Sequence, residues 1–425
     1  MLPTLVVFAL TYVLIAGRRL SVLPIGRPAG ALLGAVGMVL IGVVDPEHGL
    51  APREAFAAID AHTIGLLFGM MVMAAGVADA GLFERAARLV EARRPSPGAL
   101  LWLVTIASGL ASALLLNDSV CLLFAPLVDR LARSLRLPRV PYLLALAMGA
   151  NAGSALTLAG NPQNMLVAQL SGLSYRSYLV SAGPAALVGL VVTAAVLHAL
   201  VRRELPLALP PSASPEAASP EAAAPAAVVP WTERKPTVAP LVVLAAVSVA
   251  FVAGADLAWA AIAGAAVVIT WRRRDATPLF ADVSWTVLIF FAALFIVVAG
   301  LQKAGAPALL FEPVLSAMPR EGLPAVLALS GALLVGCQII SNVPFILLVE
   351  PLVHAMPDPL LAWKVVALVS TLAGNLTLLG SVANIIVIET VGAEQEVGFR
   401  RYLRIGAPVT LASLVASLAI LWLMH

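Results

Sequence analysis

The feature that most constrains this sequence is a polar cluster inside an apolar stretch, and the cluster occurs twice. The first copy is Asn-Asp-Ser at 117–119, and the second is Ser-Asn-Val at 341–343. Asn117 and Asn342 each lie nine residues before the proline of an identical Pro-Leu-Val. Polar groups in an apolar stretch are costly unless they line a site. The repetition therefore predicts a duplicated structural unit with polar groups at its centre.

The composition is that of an integral membrane protein. Apolar residues make up 61% of the 425 residues and charged residues 12%, whereas soluble domains are about 45–50% apolar and about 25% charged. The net charge of +3 is small and the basic residues lie in short loops. We therefore expect a lipid bilayer around the chain and no nucleic acid as a partner.

About ten apolar runs are long enough to be transmembrane helices. The segments 100–130 and 323–355 are apolar too, but their polar centres and the prolines that follow favour re-entrant hairpins over straight helices. The predicted fold class is an all-α polytopic membrane protein with about ten transmembrane spans and two re-entrant hairpins. The predicted spans are 3–17, 28–45, 62–80, 140–170, 181–201, 238–254, 256–271, 285–302, 361–390 and 405–424.

The basic residues predict how the chain is oriented. With this set of spans, 21 of the 26 Lys and Arg residues fall on one side of the membrane and five on the other. Cytoplasmic loops carry an excess of basic residues. We therefore expect the basic side to be cytoplasmic, both termini to lie outside, and the protein to be a multi-pass protein of the inner (plasma) membrane. The Pro- and Ala-rich segment 202–237 is predicted to be a cytoplasmic linker.

The two halves of the chain match in sequence beyond the polar clusters. Thr157-Leu-Ala-Gly-Asn-Pro-Gln-Asn is followed 220 residues later by Thr377-Leu-Leu-Gly-Ser-Val-Ala-Asn. Five predicted spans separate the starts of the halves, and an odd number inverts the second copy, as in many secondary transporters. The predicted division is scaffold helices at 1–61, repeat 1 at 62–201, the linker at 202–237, scaffold helices at 238–284 and repeat 2 at 285–425.

Each repeat also contains an apolar run that is too long for one straight span. The runs 140–170 and 361–390 would reach about 45 Å as unbroken helices, against a hydrocarbon core of about 30 Å. Gly160-Asn-Pro in the first run and Gly380 in the second predict a break near the midplane, because proline cannot donate a backbone hydrogen bond and glycine permits the turn. Freed carbonyls can then hold a cation, and helix N-termini an anion.

The polar residues of the two hairpin tips and the two breaks are the candidate ion- or substrate-binding residues. Asp118 is the sharpest of them, because a carboxyl group among apolar residues can exchange a proton or help to hold a cation. Val343 takes the corresponding place in the second copy, so the two half-sites are expected to differ in chemistry. The candidates are Asn117, Asp118, Ser119, Thr157, Gly160, Asn161, Asn164, Ser341, Asn342, Val343, Thr377, Gly380, Ser381 and Asn384, and those for a sodium ion are Asn117, Asp118, Gly160, Ser341, Asn342 and Gly380.

Purely structural roles for several of these residues are also open. Asp118 could cap the N-terminus of the second hairpin arm. Asn164 and Asn384 could form hydrogen bonds between helices. Thr157 and Thr377 could bond to the backbone of their own helix.

At these motifs the chain resembles the ion transporter superfamily, which includes divalent anion/sodium symporters, citrate transporters, arsenite permeases and a class of sodium/proton antiporters. The two tips look like its hairpin-tip motifs, and the Gly-Asn-Pro-Gln-Asn and Gly-Ser-Val-Ala-Asn segments look like its broken-helix motifs. The resemblance implies a homodimer and ion-coupled, elevator-type alternating access. Each tip of the sodium–dicarboxylate branch reads Ser-Asn-Thr, and here only Ser341-Asn342 keeps that order.

These features together predict a secondary transporter of a small anion or oxyanion, coupled to sodium ions or protons and without a cofactor. The alternative on the same fold is a sodium/proton antiporter or an arsenite efflux permease in which Asp118 is the exchanging acid. A passive channel also remains open. An intramembrane enzyme is not expected, because the chain has no His-Glu-x-x-His or Gly-x-Ser-x-Gly motif.

Overall fold

The structure is a computed structural model that describes residues 1–16, 27–209, 238–272, 275–306, 318, 319 and 321–425. These residues form 20 α-helices and no strands. The helices are α1 (Leu2–Ala16), α2 (Arg27–Val44), α3 (Pro52–Ala57), α4 (Ala61–Asp79), α5 (Leu82–Arg93), α6 (Pro97–Leu114), α7 (Asn117–Ser134), α8 (Arg139–Ser154), α9 (Pro162–Ser171), α10 (Tyr175–Ser181), α11 (Gly183–Val201), α12 (Ala239–Val252), α13 (Leu257–Arg272), α14 (Thr277–Ala281), α15 (Trp285–Lys303), α16 (Gly322–Ile340), α17 (Asn342–His354), α18 (Pro359–Ala373), α19 (Val382–Thr390) and α20 (Phe399–Leu423).

The helices confirm the predicted all-α fold class. Six of them, α4, α6, α11, α15, α16 and α20, are long and apolar enough to cross a membrane by length and composition. Each of the ten predicted spans coincides with one helix or, in the two long runs, with a pair of helices. Most of the predicted linker lies at 210–237, outside the described residues, and the division into scaffold and repeat segments stays a prediction.

Both predicted hairpins are present. Only Leu115 and Leu116, in extended backbone, separate α6 from α7, and these two arms pack against each other. Ser341 alone separates α16 from α17. A Cβ atom on Gly336 would lie 2.1 Å from the Phe345 ring, so the arms of the second hairpin also fold back on each other. Each apolar stretch is therefore a pair of helices with its polar cluster at the tip.

Both predicted helix breaks are present as well. Residues 155–161 separate α8 from α9, and residues 374–381 separate α18 from α19. The second break contains a 3₁₀ turn at Leu378–Gly380. Because each run changes direction here, its polar residues can face inward instead of continuing one long helix. Each break starts well before the predicted glycine, at the end of the first arm.

Small residues let the hairpins and the broken helices approach closely. A Cβ on Gly153 in α8 would lie 2.1 Å from the Cα of Gly109 in α6, and a Cβ on Gly189 in α11 would lie 2.4 Å from Ser417 Oγ in α20. Such small-residue contacts are how membrane helices pack without a hydrophobic driving force between them. They join α6–α9, α11 and α16–α20 into one packed group, the hairpin group.

The remaining long helices form a second group, in which α2 packs on α1 and α15, and α4 packs on α13. The closest approaches again involve glycine, with a Cβ on Gly69 placed 2.5 Å from the backbone of Ala261 and one on Gly300 placed 2.8 Å from Met38 Sδ. The hairpin group contacts this second group chiefly through α4, α5, α10 and α15.

Ion pairs between different elements connect residues that the basic-residue count places on the same side of the membrane. The pairs are Arg139–Glu396, Arg401–Glu204 and Arg272–Asp79 on the basic side, and Lys303–Glu54 and His425–Asp358 on the other. If either hairpin alone were a full membrane span, some of these partners would lie on opposite sides of the bilayer. The pairing agrees with the proposed path of the chain, while the side that faces the cytoplasm stays a prediction.

Candidate functional site

Both hairpin tips, the second helix break and the start of α9, which follows the first break, meet at one cavity of about 60 Å³. This volume has room for about four to six water molecules, at about 10–15 Å³ each. The breaks and tips supply most of its wall, and α15 supplies an apolar side. The lining residues are Asn117, Asp118, Pro162, Gln163, Val287, Phe290, Phe291, Ser341, Asn342, Val343, Leu379, Gly380, Ser381 and Val382.

Four helices begin at this cavity. α7 starts at Asn117, α9 at Pro162, α17 at Asn342 and α19 at Val382, and all four residues line the cavity. The first backbone N–H groups of a helix have no partner within the helix, and its N-terminus carries a partial positive charge. The cavity is therefore favourable for the electron-rich oxygens of a solute.

The first tip is held by the backbone. The backbone N–H of Asn117 donates to the carbonyl oxygen of Gly160 at 3.0 Å, and its Nδ2 donates to Asn151 Oδ1 at 3.1 Å. The Asn117 side chain is buried, yet its Oδ1 has no hydrogen-bond partner in the protein. A buried oxygen without a partner is costly, so this atom is a candidate contact for a bound ion or solute. Asp118 is half-buried in the first turn of α7.

The second tip is held by side chains. Asn342 Nδ2 donates to the carbonyl oxygen of Gly380 at 3.4 Å, and Asn342 Oδ1 is buried without a partner in the protein. Ser341, at the tip itself, has φ 78° and ψ 157°. This region of backbone space is populated almost only by glycine and costs a serine on the order of 1–3 kcal/mol. Such strain is common at ligand sites.

Several predicted site residues of the first half lie behind the cavity wall. Thr157 Oγ1 donates to the carbonyl oxygen of Ala113 in α6 at 2.7 Å. Asn161 Oδ1 caps α9 by accepting from the Asn164 backbone N–H at 2.8 Å, and Asn164 Nδ2 donates to the Thr157 carbonyl at 2.9 Å. Ser119 is also absent from the lining residues. Thr157, Asn161 and Asn164 shape the break rather than contact the cavity. Gly160, whose carbonyl accepts from Asn117, is likewise not among the lining residues.

The second half repeats this arrangement with a different contact to its hairpin. Asn384 Nδ2 donates to the carbonyl oxygens of Gly374 at 2.8 Å and Thr377 at 3.1 Å. Thr377 Oγ1 donates to the side chain of Gln338 in α16, at 2.8 Å from Oε1, instead of to a backbone carbonyl. Ser381 both lines the cavity and caps α19, accepting from the backbone N–H of Ala383 at 3.2 Å.

The sequence prediction missed residues that connect the two halves. Asn151 and Thr371, which are 220 residues apart, occupy equivalent positions in α8 and α18. Asn151 bonds to Asn384 of the second half, and Thr371 bonds to Asn161 of the first. The repeat offset could have identified this pair, because both are polar residues in apolar runs. Gln163 lies in the Gly-Asn-Pro-Gln-Asn motif but was not among the candidates, and no local signal marked Gln338, Phe290 and Phe291.

Among the described residues that line the cavity, Asp118 is the only ionisable one. Its carboxylate and the two partnerless amide oxygens are ligands of the kind that hard cations prefer. Within the described part of the chain, no group of three or more His, Cys, Asp and Glu residues is placed to hold a metal ion. The cavity thus combines N–H donors, oxygen acceptors and one acid.

Comparison with known proteins identifies the family. Residues 12–373 match the family model described as Citrate transporter. The silicon efflux transporter LSI3 of Oryza sativa subsp. japonica is 30% identical over 90% of this chain and 89% of its own length. The 46 kDa membrane protein of Mycobacterium leprae is 29% identical over 99% and 97% of the two chains. The crystal structure of the YdaH transporter of Alcanivorax borkumensis has the same fold, with a TM-score of 0.55, 16% identity and coverage of 99% and 98%. The predicted resemblance to the ion transporter superfamily is confirmed, and the chain is a membrane transporter that belongs to the citrate transporter family.

Proposed function

We propose that this protein is an ion-coupled secondary transporter of a small oxyanion or of the weak oxyacid from which it forms. One observation carries the proposal: both hairpin tips, the second helix break and the start of the helix after the first break line a single cavity of about 60 Å³. A duplicated polar site between broken helices is the arrangement that binds substrate and coupling ion in many secondary transporters. We therefore infer that the protein is a carrier and not an enzyme.

The chemistry of the cavity favours a solute with few charges and several oxygens. The four helix N-termini offer N–H donors to solute oxygens, and Asn117 and Asn342 offer oxygen acceptors to hydroxyl groups. No Lys, Arg or His of the described segments lines the cavity to pair with carboxylates, and Asp118 would repel a multiply charged anion. A tricarboxylate therefore suits this cavity less well than a small hydroxylated acid. The relative from Oryza sativa is named a silicon efflux transporter, which supports the same class of solute.

Sodium ions or protons would drive the cycle through the same cavity. A sodium ion would use the oxygens of Asn117, Asp118 and Asn342 together with the Gly380 carbonyl and the tip residue Ser341, which line the cavity, whereas Gly160 is not among the lining residues. A proton would use the Asp118 carboxyl group. The fourteen lining positions would not all move together, because the three α15 residues belong to the second helix group. An elevator movement would carry the hairpin group past α15 and expose the cavity on the other side.

Proteoliposomes provide the direct test. Purified protein reconstituted with a pH-sensitive dye inside is exposed to arsenite, silicate, phosphate or citrate, each with and without a sodium gradient. We expect a small oxyacid to be transported in a sodium- or pH-dependent way, and citrate to be transported more slowly. Transport of none of these solutes under either gradient would contradict the proposal.

A sodium/proton antiporter is the second candidate, and the position of Asp118 in the cavity wall favours it. In the same vesicles, sodium alone would then move protons without any added solute. Proton movement that needs an oxyacid supports the first proposal, and movement with sodium alone supports the second. We also propose that the protein is a homodimer in the inner (plasma) membrane with its linker in the cytoplasm, as the basic residues and the family resemblance suggest.

A further inference from the structure

The asparagine side chains behind the first tip form a chain whose polarity is set by backbone carbonyls. Asn375 Nδ2 donates to the carbonyl oxygen of Met148 at 3.0 Å. A carbonyl can only accept a hydrogen bond, so the amide nitrogen of Asn375 must face it. The Oδ1 of Asn375 is then the atom that contacts Asn151, and it accepts from Asn151 Nδ2 at 3.0 Å.

A second, independent anchor gives the same orientation. Asn384 Nδ2 donates to the carbonyl oxygens of Gly374 and Thr377, so its Oδ1 accepts from Asn151 Nδ2 at 2.9 Å. Both donor positions of Asn151 are thus used by the second half of the chain. All three asparagines, 151, 375 and 384, are at most 2% exposed, so water does not compete for these bonds.

The orientation of Asn151 then determines that of Asn117. The Oδ1 of Asn151 accepts from Asn117 Nδ2 at 3.1 Å and from Ser381 Oγ at 2.9 Å, which fills its acceptor positions. Because the nitrogen of the Asn117 amide is used here, oxygen is the atom left over at the cavity wall. This is the Oδ1 that has no partner in the protein.

We propose that Asn151 is a positioning residue that holds Asn117 with its amide oxygen, and not its nitrogen, available to the contents of the cavity. The nature of the ligand rests on the proposed function, whereas the orientation of Asn117 rests on the hydrogen bonds alone. At the second tip Asn342 Nδ2 is used directly by the Gly380 carbonyl, so its oxygen is also left over. Both asparagines therefore select a species that brings positive charge or hydroxyl donors to this part of the cavity, either a coupling cation or the undissociated form of an oxyacid.

A double-mutant cycle between Asn117→Asp and Asn151→Leu tests the geometry without any ligand. In the otherwise unchanged protein, Asn117→Asp places a carboxylate oxygen against the fixed Oδ1 of Asn151, and two acceptors repel. In the Asn151→Leu background that repulsion is absent. We expect Asn117→Asp to lower the Tm of the purified protein clearly in the first case and much less in the second. Equal losses in both backgrounds would overturn the inference.

Thr371→Val is the matched control, because Thr371 holds the equivalent place in the other half, is also 2% exposed and bonds to Asn161 and Asn164 instead of to Asn117. Asn117→Asp should lower the Tm as much in the Thr371→Val background as in the otherwise unchanged protein. If Asn151→Leu does not give folded protein, Asn151→Thr, which takes the residue of position 371, replaces it in the cycle with the same expected outcome.

The binding of two probes then identifies the species that the Asn117 amide oxygen contacts. The rise in Tm with sodium chloride, against choline chloride at equal ionic strength, reports a cation, and the rise with arsenous acid at neutral pH reports a hydroxylated acid. Asn151→Leu should weaken the bound probe about tenfold or more, since a misplaced buried amide costs at least 1–2 kcal/mol. Unchanged affinity for a probe that binds would overturn the inference. If neither probe binds the unaltered protein, the proposed function fails for these ligands, and the stability cycle decides the role of Asn151.

Discussion

The two hairpin tips occupy equivalent places in the repeat but are built differently. At the first tip a backbone N–H of Asn117 is bonded to a backbone carbonyl at 3.0 Å. At the second, a side-chain amide of Asn342 makes a contact of 3.4 Å with the corresponding carbonyl. The first tip has two residues in ordinary extended backbone, whereas the second has only Ser341, at φ 78°. The first tip alone carries an acid, Asp118, where the second has Val343.

The two tips show that the copies of a sequence repeat can keep the same geometry while their residues take different roles. The first tip is positioned by a main-chain bond to Gly160, which does not depend on the type of residue, and by the bond from Asn117 Nδ2 to Asn151. The second tip depends on the particular side chains of Gln338 and Asn342 and stores strain at Ser341. We therefore expect substitutions at the first tip to change transport most, and substitutions at the second tip to change mainly the stability of the protein.

The largest effect should come from removing the acid that only the first tip has. Asp118→Asn keeps the size and polarity of the side chain but can neither exchange a proton nor carry a charge, and we expect coupled transport to fall on the order of 100-fold. The measurement is ion-driven solute flux in proteoliposomes. Val343→Ala, at the equivalent place in the second tip, is the control and should retain most of the flux. Full activity of Asp118→Asn would remove this acid from the coupling.

Each helix break is bonded to its hairpin by one threonine, Thr157 or Thr377, and the two should differ in their contribution to stability. Thr157→Val leaves the buried Ala113 carbonyl without its donor and should lower the free energy of unfolding by about 1–3 kcal/mol. Thr377→Val leaves only Gln338 Oε1, on a flexible and partly exposed side chain that can find another partner, so we expect about 0.5–1 kcal/mol. Thermal unfolding of both variants in detergent measures this. A larger loss for Thr377→Val would reverse the comparison.

A smaller effect of the opposite sign is expected at the second tip. Ser341→Gly removes the strain of a positive φ, although glycine also gains entropy in the unfolded chain. The balance predicts a rise in stability of about 1 kcal/mol. The control, Ser119→Gly in the first turn of α7, has no such strain to relieve and should lose about 0.5–1 kcal/mol. If both variants lose stability alike, Ser341 is not strained.

The smallest effect concerns the far end of the first hairpin, where Arg139 binds Asp129 of α7 and Glu396 of the second half. The hydrogen bond from Arg139 lowers the pKa of Glu396 below its usual value. A lowered folded-state pKa stabilises the protein above the pKa of the unfolded state, and this stability is lost as the pH falls through the folded-state pKa. The Tm should therefore drop on acidification less in Glu396→Gln than in the unaltered protein. The effect is small because the Glu396 side chain is 45% exposed.

The sequence predicted the fold well because a membrane leaves few alternatives. Polar residues in an apolar run at 117–119 and at 341–343 must be satisfied internally, which excludes straight, lipid-facing helices there. The breaks near Gly160 and Gly380 followed from the length of the two runs together with the glycine and proline residues in them. The structure brings both pairs of motifs to one cavity, and that these residues bind an ion or solute stays a prediction.

The rest of the candidate site depends on tertiary packing that one sequence does not reveal. Asn151 looks like an isolated polar residue in an apolar helix, and its role appears only when Asn375 and Asn384 of the other half are packed beside it. Phe290 and Phe291 differ in no local respect from other aromatic residues of membrane helices. They line the cavity because α15 of the second helix group lies against the tips.

Whether the two tips form one binding site can be seen in a density map of the protein in lipid nanodiscs, recorded with sodium chloride and with the solute that the transport assay identifies. We expect non-protein density in the cavity within contact distance of Asn117 and Asn342, with both tips still facing each other. Solute density elsewhere in the molecule, or a layer of lipid between the two tips, would contradict it.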